Sequence, residues 1–274
     1  MLRSLLIKVP TVVLAVAAFL LLDGAAAVLA ATAIAVLGTG VLMALVLHPN
    51  SSAWVKTRSR ADGATDAVAL TFDDGPDPSS TPAIARILAD HGIQAAFFVV
   101  GERVAAHPEL VRELHAAGHL VCNHTYGHPL ALHFSLWSTA RRELRACNAA
   151  IAKVLGREPT LFRAPQGIKN PALGDVVGEL AMTAVGWDVR GLDSLSDDAR
   201  AIERRVLAGA RPGGVVMLHD GTGLGGLDDR RATIEALPGI IAGIRARGMR
   251  FTRLDQLLEV EPYREPAAPA ALAA

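Results

Sequence analysis

Charge of either sign has no surplus in this chain: 27 lysines and arginines stand against 27 aspartates and glutamates among 274 residues. Without a basic excess there is no field to hold a nucleic-acid backbone, and that class of partner is set aside. Cysteine is nearly missing. Cys122 and Cys147 form no CxxC pattern and no disulfide framework. They read as buried thiols and do not fix a redox compartment. No internal repeat is present, which removes solenoids and propellers. Charge is also missing locally, because residues 25–47 carry none.

That local absence is where the apolar excess collects. Hydrophobic residues make up 51% of the chain, and much of the surplus lies in the first fifty positions. Residues 9–22 read VPTVVLAVAAFLLL, Asp23-Gly24 interrupts, and the uncharged run follows. The second run is long enough to cross a hydrocarbon core of ~30 Å at ~1.5 Å per residue. The first reaches that length by recruiting residues 5–7 and letting Lys8 snorkel. It also fits a signal peptide, with Arg3 and Lys8 before an apolar run and small residues at 25–27. Cleavage there still leaves the longer run. Helices without a polar face need protein on every side to be soluble, which argues against a buried soluble hairpin. The expectation is a membrane anchor over residues 1–50, one or two transmembrane helices, with a hairpin of about 5–22 and 25–47 preferred. Basic residues flank both ends of the pair, and by the positive-inside rule two spans leave both ends cytoplasmic.

Residues 51–66 are polar and read as a linker. From Ala67 short apolar runs alternate with helical stretches. Strands are expected at 67–72, 95–100, 119–122, 160–163, 182–187 and 214–218. Helices are expected at 81–91, 108–117, 136–155, 171–179, 198–208 and 230–247. Glycines 92, 118 and 248 fit helix C-caps. Such alternation argues a parallel sheet, open or closed. Residues 259–274 read as a disordered tail.

In parallel α/β folds chemistry gathers at the carboxyl ends of the strands. Asp73 and Asp74 close the first strand; His124 and His128 follow the third; Arg163 ends the fourth. Asp188 and Asp193 follow the fifth, and His219-Asp220 end the sixth. All fall on one rim. Adjacent strand residues point to opposite faces, and Gly75-Pro76 supplies a bend, so Asp73 and Asp74 are presented in two directions. His124 and His128, four apart, share a side on a helical turn. Alone, two such histidines are as well explained as exposed polar residues. With Asp74 on the same rim, they complete two imidazoles and a carboxylate, enough protein ligands for a zinc-type catalytic site. Arg163 at a strand mouth can hold a carboxylate ionised, or form an ordinary ion pair. His219, emerging from an apolar run, suits general acid work near neutral pH, or a structural role.

Four motifs in this order, TFDDGP (71–76), HTYGH (124–128), RAPQG (163–167) and LHD (218–220), resemble the polysaccharide deacetylase family with the NodB homology domain. The likeness spans roughly residues 66–258. It implies a distorted (β/α) barrel after the anchor, a domain over 67–258, a divalent metal, and hydrolysis of an N-acyl group from an amino sugar. The metal implied is zinc, with cobalt, manganese or nickel as alternatives. By position, Asp74, His124 and His128 match the metal ligands, Asp73 the general base and Arg163 the residue that orients it. His219 matches the general acid, and the backbone N–H of Gln166 a donor to the oxyanion.

One motif departs from the family. Where D-x-x-D-W is common, this chain reads WDVRGLDS, so Arg190 replaces the first Asp and Ser194 the Trp. Asp193 or Asp188 is then expected to buttress His219. Three functions stay open: a deacetylase of peptidoglycan, chitin-like or exported polymer; a deacetylase or deformylase of a lipid-linked sugar at the membrane; and a non-catalytic carbohydrate-binding domain. Every metal, base and acid position is filled, which favours an enzyme. The family's usual export places the domain outside the cell, against the charge pattern of the anchor.

Overall fold

The computed structural model describes residues 2–129, 132, 136–223, 226–227 and 229–266. Two apolar helices, α1 (Leu2–Leu21) and α2 (Gly24–Leu47), pack against each other across a turn at Asp23. Among the described residues α2 alone is long and apolar enough to cross a membrane; the apolar part of α1 is Pro10–Leu21.

After α2 come β1 (Thr57–Arg58), β2 (Ala67–Asp73), α3 (Thr81–Asp90), β3 (Ala96–Val99), α4 (Gly101–Ala106), α5 (Pro108–Ala116) and β4 (Leu120–Asn123). Then follow α6 (Trp137–Leu155), β5 (Glu158–Pro159), β6 (Leu161–Phe162), α7 (Pro171–Glu179), β7 (Thr183–Val185) and β8 (Val189–Arg190). The chain closes with α8 (Ala199–Gly209), β9 (Val215–His219), α9 (Arg231–Ala246), β10 (Arg250–Phe251), α10 (Leu254–Leu258) and β11 (Tyr263–Arg264). The main sheet runs β1-β7-β6-β4-β3-β2-β9-β8, with β10 also on β2, and its ladders are parallel. It curls into a distorted barrel. The seam is bridged by the segment that leaves β1: the Ser59 carbonyl accepts from the Val215 amide at 3.3 Å, and Arg60 pairs with Gly214.

Strand periodicity decides what faces inward. In β2, Val68, Leu70 and Phe72 pack outward among the helices, with Ile84, Leu88 and Ile240. Ala67 and Ala69 point inward, where Phe98 and Leu161 join them and Leu254, Leu257 and Leu258 plug the lower end. Small residues inside let the strands close around few side chains. The same two-residue period carries Thr71 and Asp73 to the inner face at the upper end.

The expected strands and helices are present within a few residues of their predicted bounds, and Gly92, Gly118 and Gly248 take positive φ as C-caps require. Two readings need correction. Residues 51–66 are no loose linker: Trp54 is buried, β1 pairs with β7, and Arg60 reaches Asp188 at 3.1 Å. The polar residues that suggested a linker are pairing across a sheet edge. The tail is ordered through its first third, since β11 pairs with β5 and the Tyr263 hydroxyl accepts from the Val121 amide at 2.8 Å. Residues 267–274 lie outside the described ones.

Candidate active site

Asp73 and Asp74 do part company at the strand end. Asp73 keeps the strand's inward direction, and Asp74 turns away because its backbone adopts φ 74°. The bend needs Gly75, since a Cβ there would lie 2.0 Å from Asp220 Oδ2. That carboxylate braces the turn, accepting from the Gly75 amide at 3.2 Å and from the Thr81 hydroxyl at 2.6 Å. Burial pushes Asp220 up to about 7. Arg103 holds the bend from the other side by donating to the Asp74 carbonyl at 2.9 Å.

His124 and His128 meet Asp74, but not on a helical turn. Residues 124–128 form a loop in which Thr125 and His128 take φ 70° and 48°. Buried Asn123 shapes it: its Oδ1 accepts from the Thr125 amide at 2.8 Å while its Nδ2 donates to Asn148 and the Leu144 carbonyl. The two imidazole Nε2 atoms lie 3.4 and 3.3 Å from Asp74 Oδ1. Three ligands each ~2.0–2.2 Å from one tetrahedral ion lie about 3.3–3.6 Å apart. The spacing therefore fits a divalent metal.

The protonation states fit too. His124 Nδ1 sits 2.9 Å from the Arg163 carbonyl, which only accepts, so Nδ1 carries a hydrogen and Nε2 is the ring nitrogen turned to Asp74. Burial, reinforced by the positive potential of His124, pushes His128 down to about 4 against the pull of Asp74, leaving it neutral at pH 7. Burial alone would raise Asp74, but the hydrogen bond and charge of His124, with His219 and His128, hold it well below the usual carboxylate range. A carboxylate and two imidazole nitrogens are a donor set that suits such an ion.

Arg163 faces Asp73 at 2.6 Å and is fully buried. Its remaining donors go to the Thr71 hydroxyl at 2.8 Å and the Gly186 carbonyl at 3.0 Å, and its guanidinium lies 4.1 Å from the Phe98 ring centre. With Nε also donating to the Val185 carbonyl at 3.4 Å, the guanidinium is anchored on both sides and presents Nη1 to the Asp73 carboxylate in one direction.

Across the triad stands His219. Asp193 takes the buttress: its Oδ1 is 3.0 Å from His219 Nδ1, and its Oδ2 accepts from the His219 amide at 2.8 Å. Asp188 does not approach; it binds Arg60 and Arg211, the latter at 2.7 Å. Thr233 and Arg230 secure Asp193, the hydroxyl donating to Oδ2 at 2.9 Å and the buried guanidinium to its carbonyl at 3.0 Å. Burial disfavours the His219 imidazolium, but the charge and hydrogen bond of Asp193, with Asp74 and Asp73, outweigh it and raise the group to about 9. His219 is therefore protonated at neutral pH.

Asp73, Asp74, His124, His128 and His219 line one cavity of about 240 Å³, together with Gln166 and the exposed Arg190. That is below the ~300–1,000 Å³ of sites that engulf a whole small ligand. Gln166 sits in a short turn with φ 55°. The braces at Asp220, Arg103, Arg230 and Thr233 were not foreseen. Asp220 had a signal in its place beside His219 in LHD; the other three had none in their neighbours.

Comparison with known proteins agrees. The polysaccharide deacetylase family matches over residues 60–185. A chitooligosaccharide deacetylase of Bradyrhizobium sp. (strain ANU 289) is 35% identical over 206 residues, covering 70% of this chain and 91% of that protein. A peptidoglycan-N-acetylglucosamine deacetylase of Bacillus cereus is 33% identical over 194 residues, covering 70% and 87%. Among solved structures, the Bc1960 peptidoglycan N-acetylglucosamine deacetylase superposes with a TM-score of 0.71 at 29% identity, over 76% of this chain and 95% of that one. A family 4 carbohydrate esterase from Streptomyces lividans gives 0.62 at 31% identity, over 70% and 93%. This chain belongs to the polysaccharide deacetylase family, hydrolases of non-peptide amide bonds.

Proposed function

We propose that this enzyme removes an N-acetyl group from an amino sugar of a glycan, using a divalent metal held by Asp74, His124 and His128. The observation that carries the proposal is the meeting of those three ligands in one cavity between an oriented carboxylate, Asp73, and a protonated imidazole, His219. The relatives named for chitooligosaccharides and for peptidoglycan N-acetylglucosamine both act on such sugars.

A bound divalent ion, zinc by donor set and cobalt, manganese or nickel by the same preference, supplies Lewis acidity towards the acyl oxygen and the attacking water. Asp73, oriented by Arg163, accepts the proton of that water. The Gln166 N–H is the donor we assign to the oxygen as negative charge develops on it, on the ground that Gln166 lines the cavity. His219 gives its proton to the departing amine, and Asp193 steadies the imidazolium beforehand.

The apolar helices support anchoring in a membrane, and the direct seating of α2 on the rim favours a second substrate class, a sugar carried on a membrane lipid. The test is release of acetate or formate by the full chain from chitooligosaccharide, peptidoglycan and lipid-linked N-acyl sugars in parallel. We expect release that a chelator abolishes and added metal restores. Sugar binding without release under every metal would replace the proposal with a carbohydrate-binding role. A reporter active only outside the cell and one active only in the cytoplasm, fused after Leu258, assign the face on which the domain lies.

A further inference from the structure

Helix α2 does not end in a free tether. Its last turn and the residues after it are fastened to the loops that line the cavity. The Asn50 side chain donates to the Trp187 carbonyl at 2.6 Å and accepts from the Trp187 amide at 3.2 Å, as a neighbouring strand would. The buried Lys169 ammonium donates to the Pro49 and Gly167 carbonyls, and the Lys169 amide to the Val46 carbonyl at 3.4 Å. At Gly167, with φ +72°, a Cβ would lie 2.5 Å from both Pro49 and the Trp187 ring. Gln166 and Trp187 line the cavity. The end of α2 is thus fixed at the catalytic rim rather than at the opposite edge of the sheet.

A second observation stands independently. Beyond residue 47, the large apolar side chains exposed among the described residues are Leu136, Trp137 and Leu195, at 68%, 40% and 69%. All three follow the carboxyl ends of strands: after β4, Leu136 caps α6 and Trp137 opens it, and Leu195 lies between β8 and α8 and lines the cavity. Trp137 pairs an exposed ring with an Nε1–H that donates to Asp175 at 3.0 Å, the amphipathic habit of tryptophan at a lipid–water boundary.

We propose that the catalytic rim rests on the lipid bilayer, with Leu136, Trp137 and Leu195 in the headgroup layer and the cavity mouth opening there. The occupant follows from α2, whose 24 residues span ~36 Å, enough for the ~30 Å core, and which leaves the bilayer at this rim. An acyl sugar then reaches Asp73 and His219 from the membrane surface. The inference rests on reading α2 as a membrane span and the cavity as the deacylase site.

The test places nitroxide labels on single cysteines in the full chain, held in phosphatidylcholine–phosphatidylglycerol nanodiscs. Leu136→Cys and Leu195→Cys probe the rim. Asp90→Cys, at the exposed end of α3 on the opposite edge, is the control. Cys122 and Cys147 are fully buried and stay unlabelled. We expect oxygen to relax the two rim labels in preference to a water-soluble nickel chelate, and the reverse at position 90. Rim labels as open to the nickel chelate as position 90, or a chain not retained in the disc, overturn the proposal. The readout needs no catalysis, so failure of the deacylase reading shows separately, as rim labels shielded by lipid in a chain that releases no acyl group.

Discussion

Two pairs flank the cluster of Asp74, His124 and His128, and they are built in opposite senses. On one side a carboxylate, Asp73, is gripped by a buried guanidinium at 2.6 Å; on the other an imidazole, His219, is gripped by a buried carboxylate at 3.0 Å. In each pair a buried partner of opposite charge fixes the inner member, and at His219 that charge outweighs the burial that disfavours the imidazolium. The difference between the pairs is one of task. In the mechanism we propose, the cation beside Asp73 orients the base, whereas the anion beside His219 keeps the acid protonated.

The largest effect we expect comes from the triad between the pairs. Asp74→Asn removes the anionic ligand, so metal analysis of the purified variant should show loss of the ion and acyl release should fall to background. A variant that keeps both would place the metal elsewhere. Next comes the acid side. Asp193→Asn deletes the charge that lifts His219, which then falls from about 9 towards and below its ordinary 6.5. The alkaline limb of the pH–rate profile should move down accordingly, costing about tenfold in turnover for each unit by which the working pH exceeds the new value. An unmoved limb would mean that Asp193 does not set the acid. The folded value lies above the unfolded one, so this pair also stabilises the protein below pH 6.5, and that contribution fades as pH rises through about 9. Thermal melts of the parent and Asp193→Asn should therefore converge in alkali. The smallest effect belongs to Asp188. It touches Arg60 and Arg211 rather than the cavity, so Asp188→Asn should leave kcat/KM within about twofold and lower thermal stability only slightly. A large catalytic loss there would return it to the acid side.

The base side was more legible in the sequence than the acid side, for a physical reason. Asp73, Asp74 and the two histidines sit in short contiguous motifs whose local backbone does the positioning, so pattern and place coincide. The way the histidines converge was not legible: spacing by four suggested a helical turn, and the loop instead uses positive φ at Thr125 and His128, braced by Asn123. The buttress of His219 lies 26 positions away in sequence, and Arg190 at the family's usual Asp left Asp193 and Asp188 as equal candidates. What separates them is long-range: Thr233 and Arg230 from the start of α9 hold Asp193 in the site, and two arginines draw Asp188 out of it. Residues 51–66 were misread for a related reason, because an edge strand gives no clear apolar alternation over two residues.

The central claim is that two neighbouring carboxylates divide the work, Asp74 binding the metal and Asp73 taking the proton. Asp73→Asn tests it most directly, by metal content and turnover measured on the same sample. We predict about one metal per chain and a fall in kcat of about 10²–10⁴-fold, the usual contribution of a general base. Near-parental turnover with the metal bound would contradict the account.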